Sequence, residues 1–241
     1  MKPKGSKAAK KTPDNWIYGQ HAVLSALTHK NRAVFEVHHA GKLAPEVKQY
    51  LHGVPSVEVD KRQLDQKFPQ KVHQGIAARV EAVSLHALED IQHHNVLLAL
   101  DQVTDPQNLG AILRSADAFG CGGVLLPKGH HAPLNAIVAK AACGALETVS
   151  IAEVNLAQAL DKLKSAGFWC IGLAGAATTS LHNVKKPEKM CIVMGSEGEG
   201  LRPLVAKQCD ELVKIEMQGT VESLNVSVAA GITLHALTSS T

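Results

Sequence analysis

The N-terminal third of the chain carries short apolar runs separated by polar, turn-forming residues. Apolar residues at positions 22, 23, 26 and 27 have helical spacing. The predicted elements are helices over residues 18–30 and 44–51, and strands over residues 34–38, 57–59 and 75–83. Together they predict a small α/β domain over residues 14–83, a size within the usual domain range.

A different pattern begins at Val96, after a His-rich polar stretch over residues 84–95 that we interpret as a linker. The run VLLAL (96–100) is continuously apolar, which is typical of a strand buried on both faces of a parallel sheet. Further strands are predicted at residues 124–126, 168–173, 190–194 and 212–215, and helices at residues 109–119, 134–143, 156–165 and 226–237. This alternation predicts an α/β domain with a mostly parallel sheet over residues 96–241.

Composition limits the class of protein. A chain of 241 residues with 45% apolar residues can bury a sizeable core. No 18-residue apolar run and no signal peptide is present, so we expect a cytoplasmic protein without a membrane span. Five cysteines form no C-x-x-C pair and lie mostly in apolar stretches, which indicates reduced core thiols rather than disulfides or a zinc site.

The net charge of +3 is concentrated at the N-terminus, where five lysines stand within the first eleven residues. We expect residues 1–13 to form a basic, disordered tail, either solubilising or in contact with RNA. The remaining 20 Lys and Arg residues are outnumbered by 22 Asp and Glu, a net charge of −2. Any RNA binding would therefore depend on local patches and on the tail.

Three polar, Gly-rich segments begin where predicted strands end, at residues 101–120, 193–202 and 215–228. Ligands bind at the carboxyl edge of a parallel α/β sheet, where such segments meet. One loop of this kind would mean little, but three predict a site. The polar side chains that these segments present are Asn108, Arg114, Glu197, Ser223 and Asn225.

The predicted helix over residues 109–119 has its apolar residues on one face and Arg114 on the opposite face. Arg114 is therefore free to act at a site, although an ordinary surface ion pair with Asp117 is equally consistent with the spacing. Gly110 costs about 1 kcal/mol relative to alanine in a helix. Close approach of another backbone or of a ligand would explain a glycine at this position.

The loop GSEGEG (195–200) is not the dinucleotide-binding G-x-G-x-x-G pattern. Its carboxylates, Glu197 and Glu199, would repel a phosphate, so the loop favours a neutral or cationic ligand, unless it is only a turn whose glutamates face water. Ser223 or Asn225 could equally serve as the N-cap of the last helix. The 13 histidines show no metal-ligand spacing, so we expect no metal site.

The stretches NLGAILR (108–114), VMGSEGEG (193–200) and SLNVSV (223–228) resemble the three motifs of the SpoU branch of the SPOUT methyltransferases. The flanking stretches IYGQHAV (17–23) and VHQGIAARV (72–80) extend the likeness over nearly all of the chain outside the tail. They are most similar to members that methylate a guanosine 2′-hydroxyl in 23S ribosomal RNA. Transfer RNA or another ribosomal site, and a non-catalytic RNA-binding assembly factor, are the alternatives.

The resemblance implies a C-terminal SPOUT domain with a trefoil knot involving residues 195–202 and 215–237, an exception to the rule against threaded chains. It also implies a homodimer whose site is close to the interface, and an N-terminal RNA-binding domain similar to ribosomal protein L30. S-adenosylmethionine would be held in the knot, largely through backbone groups. The residues implied are Gly195, Ile215 and Leu224, with Met217 as a weaker candidate.

The resemblance places Arg114 beside the reacting ribose oxygen. Because a guanidinium resists deprotonation, we expect Arg114 to stabilise the developing alkoxide and to position an RNA phosphate rather than to act as a base. Asn108 and Glu197 would orient Arg114 and the loop, and Ser223 and Asn225 would shape the pocket. A nicotinamide-dependent α/β enzyme is disfavoured by the missing G-x-G-x-x-G pattern.

Overall fold

The computed structural model describes residues 15–239 and contains a four-stranded and a seven-stranded sheet. The predicted basic tail over residues 1–13 lies outside the described residues. No helix among the described residues is long and apolar enough to cross a membrane.

The four-stranded sheet has the strand order β1-β4-β2-β3. Strand β4 is antiparallel to both β1 and β2, whereas β3 is parallel to β2. The elements of this unit are β1 (Trp16–Tyr18), α1 (Gln20–His29), β2 (Val34–His39), α2 (Pro45–Lys48), β3 (Ser56–Glu58), α3 (Lys61–Lys67) and β4 (Ile76–Val80). Helix α1 buries residues 22, 23, 26 and 27, as its apolar spacing predicts.

Two elements of this unit were not predicted. Strand β1 has only three residues, too few to show alternation. Helix α3 buries only Leu64, but the capping box formed by Asp60 and Gln63 stabilises its first turn. The prediction over residues 44–51 was too long because the regular helix is confined to Pro45–Lys48.

The seven-stranded sheet has the order β7-β6-β5-β10-β8-β11-β9, and every neighbouring pair is parallel. This confirms the predicted α/β class with a mostly parallel sheet. Its elements are α4 (Leu88–Ile91), β5 (Val96–Leu100), α5 (Pro106–Ala118), β6 (Gly123–Pro127), α6 (Ala136–Ala141), β7 (Ser150–Val154), α7 (Leu156–Ser165), β8 (Trp169–Leu173), β9 (Thr179–Ser180), β10 (Met190–Met194), α8 (Pro203–Ala206), β11 (Glu211–Lys214) and α9 (Val226–Thr238), with 3-10 turns at Ala145–Glu147 and Leu181–Asn183.

The bounds of β5, β10 and α7 agree with the prediction, whereas β7, α8 and β9 were missed. The strand order reverses at the β5–β10 pair, because β6 and β7 lie on one side of it and β8, β11 and β9 on the other. Such a switch point opens a crevice at the carboxyl ends of the strands. The segments that follow β5, β10, β8 and β11 therefore meet at one edge of the sheet.

Helix α5 packs against α6 and α9. Gly110 is buried at the α6 contact, where an added β-carbon would lie 2.8 Å from the Val138 carbonyl oxygen and closer still to the Ala141 side chain. Of the two explanations for this glycine, the approach of another backbone is thus confirmed.

The two units of the chain are joined by a buried ion pair between Arg32, which lies between α1 and β2, and Glu147, at the end of the first 3-10 turn. The Asn31 side-chain amide donates to the Glu147 carbonyl oxygen. The Lys140 ammonium donates to the Val72 carbonyl oxygen at 2.6 Å. The α6 region therefore contacts both α5 and the N-terminal unit.

Candidate functional site

A cavity of about 300 Å³ lies at the carboxyl ends of β8, β10 and β11. Met194, Val213 and Val226 contribute apolar surface to its lining. All four residues expected to hold a cofactor line this cavity: Gly195, Ile215, Met217 and Leu224. Glu197 and Ser223 line it as well, so six of the nine predicted site residues surround one space.

The loop after β10 is shaped by a tight backbone closure. Ser196 and Gly200 exchange backbone hydrogen bonds of 3.2 and 3.1 Å. A β-carbon on Gly195 would overlap the Gly200 carbonyl group, and Gly200 itself has φ 71°, a conformation that favours glycine. The glycines are thus required by the turn itself, and the loop presents the Glu197 carboxylate at its exposed rim.

The far end of this loop is fixed to the end of β5 by Asp101, whose side chain is fully buried. Asp101 accepts a hydrogen bond from the Arg202 backbone at 2.9 Å and one from Arg202 Nε at 2.7 Å. A charge-assisted pair of this kind is stronger than a neutral hydrogen bond. Asp101 and Arg202 were not singled out in the sequence, although both border predicted loops at the ligand edge.

Asn225 connects the three polar segments. Its Nδ2 donates to Asn108 Oδ1 at 3.0 Å and to Glu197 Oε2 at 3.3 Å. Its Oδ1 accepts from the Ser227 backbone at 2.9 Å and so caps α9, which also fixes which amide atom faces Asn108. The structure therefore brings Asn108, Glu197 and Asn225 together.

Ser223 is exposed at the cavity rim and does not cap α9, since Asn225 fills that position. Leu173, the last residue of β8, and Ala174 and Gly175, which follow it, also line the cavity and were missed in the sequence. The signal was available, because AGAA (174–177) is another small-residue segment directly after a predicted strand.

Arg114 is separate from this group. It is exposed, and its Nη1 donates to Cys143 Sγ at 3.4 Å. Within residues 15–239, no carboxylate lies within 4 Å of its guanidinium. Asp117 instead accepts a hydrogen bond from Thr148 Oγ1 at 2.6 Å, so the alternative of an Arg114–Asp117 ion pair is wrong.

The five cysteines are free, as expected. Burial raises the pKa of the Cys121 and Cys209 thiols to about 12. Cys143 differs from the expectation of core thiols, since it is exposed. No group of three or more His, Cys, Asp or Glu residues in the described part of the chain is arranged to hold a metal ion.

Known families match both units of the chain. The model of the SpoU rRNA Methylase family matches residues 95–235, and a model for RNA 2′-O ribose methyltransferase substrate binding matches residues 16–85. The 23S rRNA (guanosine-2′-O-)-methyltransferase RlmB of Vibrio cholerae is 43% identical over 231 residues, which cover 90% of this chain and 94% of that protein. The RlmB of Pseudomonas aeruginosa is 41% identical over 232 residues, covering 90% and 93%.

Solved structures share the fold. An AdoMet-bound rRNA methyltransferase from Sinorhizobium meliloti superimposes with a TM-score of 0.79 at 24% identity, covering 92% of this chain and 86% of that chain. The SpoU methyltransferase AviRb of Streptomyces viridochromogenes superimposes with a TM-score of 0.78 at 22% identity, covering 93% and 88%. From the match over residues 95–235 and the curated relatives above 40% identity, the chain belongs to the SpoU rRNA methylase family.

Proposed function

We propose that this protein methylates the 2′-hydroxyl of a guanosine ribose in 23S ribosomal RNA, with S-adenosylmethionine as the methyl donor. The RlmB relatives carry that activity in their names and match over nine tenths of this chain. The observation that carries the proposal is the hydrogen-bonded junction of Asn108, Glu197 and Asn225 beside the cavity. A bacterial ribosomal RNA substrate supports a cytoplasmic location.

The cavity suits S-adenosylmethionine in size and chemistry. Its volume of about 300 Å³ is at the lower end of the range of small-molecule sites, and it combines apolar walls with a few polar groups. The carboxylates of Glu197 and Glu222 border it, which favours a ligand with sulfonium and ammonium charges. When bound, S-adenosylmethionine would supply an electrophilic methyl group to the ribose oxygen.

The residues of the cavity would hold this cofactor. Backbone groups at Gly195, Ile215 and Leu224 would bind it, and the Met217 side chain would cover its apolar parts. Ser223 would shape the rim where RNA enters. Asn108, Glu197 and Asn225 would hold the loop after β10 and the start of α9 in place against α5. The Asn225 amide donates to both Asn108 and Glu197 and so joins these segments.

Arg114 would act on the RNA. Its exposed guanidinium is permanently charged and can bind a phosphate in a bidentate manner. Placed beside the ribose, it would stabilise the negative charge that develops on the attacking oxygen. The hydroxyl proton would leave to water as the methyl–oxygen bond forms and the methyl–sulfur bond of the donor breaks, with the electron pair of that bond returning to sulfur.

A homodimer would bring the site close to a subunit interface. Val228 and Ile232 on α9 and Val221 in the preceding segment are exposed apolar side chains, 50%, 41% and 63% accessible. Exposed apolar groups of this kind mark interaction surfaces when they are contiguous. Because α9 begins at the cavity, a dimer through this face would place its interface beside the cofactor.

The proposed organisation is a basic tail over residues 1–13, an L30-like RNA-binding domain over residues 14–83, a linker over residues 84–95 and a knotted SPOUT domain over residues 96–241. Residues 15–83 carry nine Lys and Arg against six Asp and Glu, whereas residues 84–239 carry eleven against fifteen. The positive N-terminal unit therefore suits RNA. The knot would involve the start of α9, where Asn225 donates to Asn108 of α5 and to Glu197 of the loop after β10.

The test is methyl transfer from labelled S-adenosylmethionine to unmodified 23S ribosomal RNA, with the product mapped for 2′-O-methylation. We expect one labelled guanosine. Transfer to bulk transfer RNA but not to 23S RNA would keep the chemistry and overturn the substrate. Cofactor binding without transfer to free RNA or to precursor ribosomal particles would favour the non-catalytic assembly factor.

A further inference from the structure

Arg114, the last residue of the NLGAILR stretch, contacts Cys143, which lies outside the three motifs. The sulfur of Cys143 accepts from Arg114 Nη1 at 3.4 Å, and its own S–H donates to the Lys140 carbonyl oxygen at 3.6 Å. A thiol can serve as a weak donor and a weak acceptor at once. The sulfur thus joins the end of α6 to the guanidinium on α5.

The position of Cys143 is fixed by an unusual turn. Cys143 has φ 49° and Gly144 has φ 106°, so two consecutive residues adopt left-handed backbone conformations. For a non-glycine residue this conformation persists only where the surroundings hold it. Here the N-terminal unit does so, since a β-carbon on Gly144 would strike Ser25 and Glu147 is paired with Arg32 in the buried interface.

From these contacts we propose that Cys143 is a positioning residue for Arg114, holding the guanidinium in the orientation that acts on RNA. This inference rests on the proposed function of Arg114. An exposed arginine loses considerable side-chain entropy when it is ordered, so a partner that orders it beforehand favours reaction. Through the turn, the orientation of Arg114 also depends on the docking of the RNA-binding unit.

The test compares Cys143→Ala with Cys143→Ser in the full-length protein. The alanine variant should lose about tenfold in kcat, since small misplacement of a catalytic group has large effects, while the Kd for S-adenosylmethionine stays unchanged. The serine hydroxyl can accept from Arg114 and donate to the Lys140 carbonyl oxygen. The serine variant should therefore recover kcat to within about twofold of wild type. Thermal unfolding of each variant corrects for any loss of folded protein.

Thr148→Val is the matched control. It removes the hydrogen bond from Thr148 Oγ1 to Asp117, which also joins the segment after α6 to α5. Arg114 takes no part in that hydrogen bond. If Cys143 acts through Arg114, Thr148→Val keeps kcat near wild type, and Cys143→Ala adds no further loss in an Arg114→Lys background. Equal kcat losses in Cys143→Ala and Thr148→Val, or additive losses with Arg114→Lys, would overturn the inference.

Two failures remain distinguishable. A wild-type protein that transfers no methyl group to RNA overturns the proposed function, and the inference falls with it. An active wild type with an equally active Cys143→Ala variant overturns the inference alone.

Discussion

Helix α5 carries two of the proposed site residues, and they are held in different ways. At the N-terminal end, Asn108 is bonded to Asn225, which is bonded to Glu197, so three segments of the sheet edge are joined within one subunit. Six residues further along lies Arg114. Its polar partner within residues 15–239 is Cys143 alone, in the turn after α6. At 1.5 Å per residue the two positions are about 9 Å apart along the helix axis.

This difference agrees with the two roles proposed for these residues. The Asn108 group, formed by Asn108, Glu197 and Asn225, is held by packed loops next to the cavity, which agrees with a cofactor site. Arg114 is exposed and is hydrogen-bonded to the region that contacts the N-terminal unit, which agrees with its proposed action on RNA. The proposed function therefore predicts that cofactor binding and catalysis can be damaged separately.

The largest effect is expected for Arg114→Ala. Removing a charged group that stabilises a developing oxyanion costs about 10²–10³-fold in kcat. Cofactor affinity should stay at the wild-type value, because Arg114 does not line the cavity. Calorimetric titration with S-adenosylmethionine and single-turnover methyl transfer measure the two quantities. Near-normal turnover in a folded variant would remove Arg114 from the mechanism.

The Asn108 group could be predicted because its segments follow β5, β10 and β11, and continuous apolar runs mark two of these strands clearly. Parallel strands place their carboxyl ends at one edge of the sheet, independently of the conformation of the loops that follow them. The helical pattern likewise predicted that Arg114 faces away from the core, which its exposure confirms.

The partners of these residues could not be predicted. The pairs Asp101–Arg202 and Arg114–Cys143 join residues 101 and 29 positions apart, and no local periodicity encodes such contacts. The left-handed turn at Cys143 was also invisible, because cysteine rarely adopts it without tertiary support. Elements as short as β1 and α8 lack the length to show a period.

Gly110→Ala tests the packing that lies between the two ends of α5. The new β-carbon would meet the Val138 carbonyl at 2.8 Å, so we expect a loss of about 1–3 kcal/mol in the free energy of unfolding. Displacement of α5 from α6 would also separate Arg114 from Cys143 and lower kcat. Urea unfolding and steady-state kinetics measure both effects.

The matched control is Gly231→Ala on α9, where an added β-carbon lies 3.6 Å from Ser115 Oγ, an ordinary contact. That variant should gain up to about 1 kcal/mol from helix propensity. A Gly110→Ala protein as stable as wild type would show that α5 and α6 do not pack as closely as described.

The smallest effect separates the two roles of Asn225. In Asn225→Asp the Oδ1 acceptor that caps α9 is kept, and aspartate is as good an N-cap as asparagine. The donor to Asn108 and Glu197 is lost, and two carboxylates then face each other. We expect the Kd for S-adenosylmethionine to rise about tenfold, or about 1.4 kcal/mol, with little change in Tm.

Asn225→Ala, which also loses the cap, should weaken binding similarly and lower stability by about 1 kcal/mol. If Asn225→Asp bound the cofactor like wild type while Asn225→Ala did not, the cap alone would account for Asn225, and the junction of the three motifs would have no part in holding the cofactor.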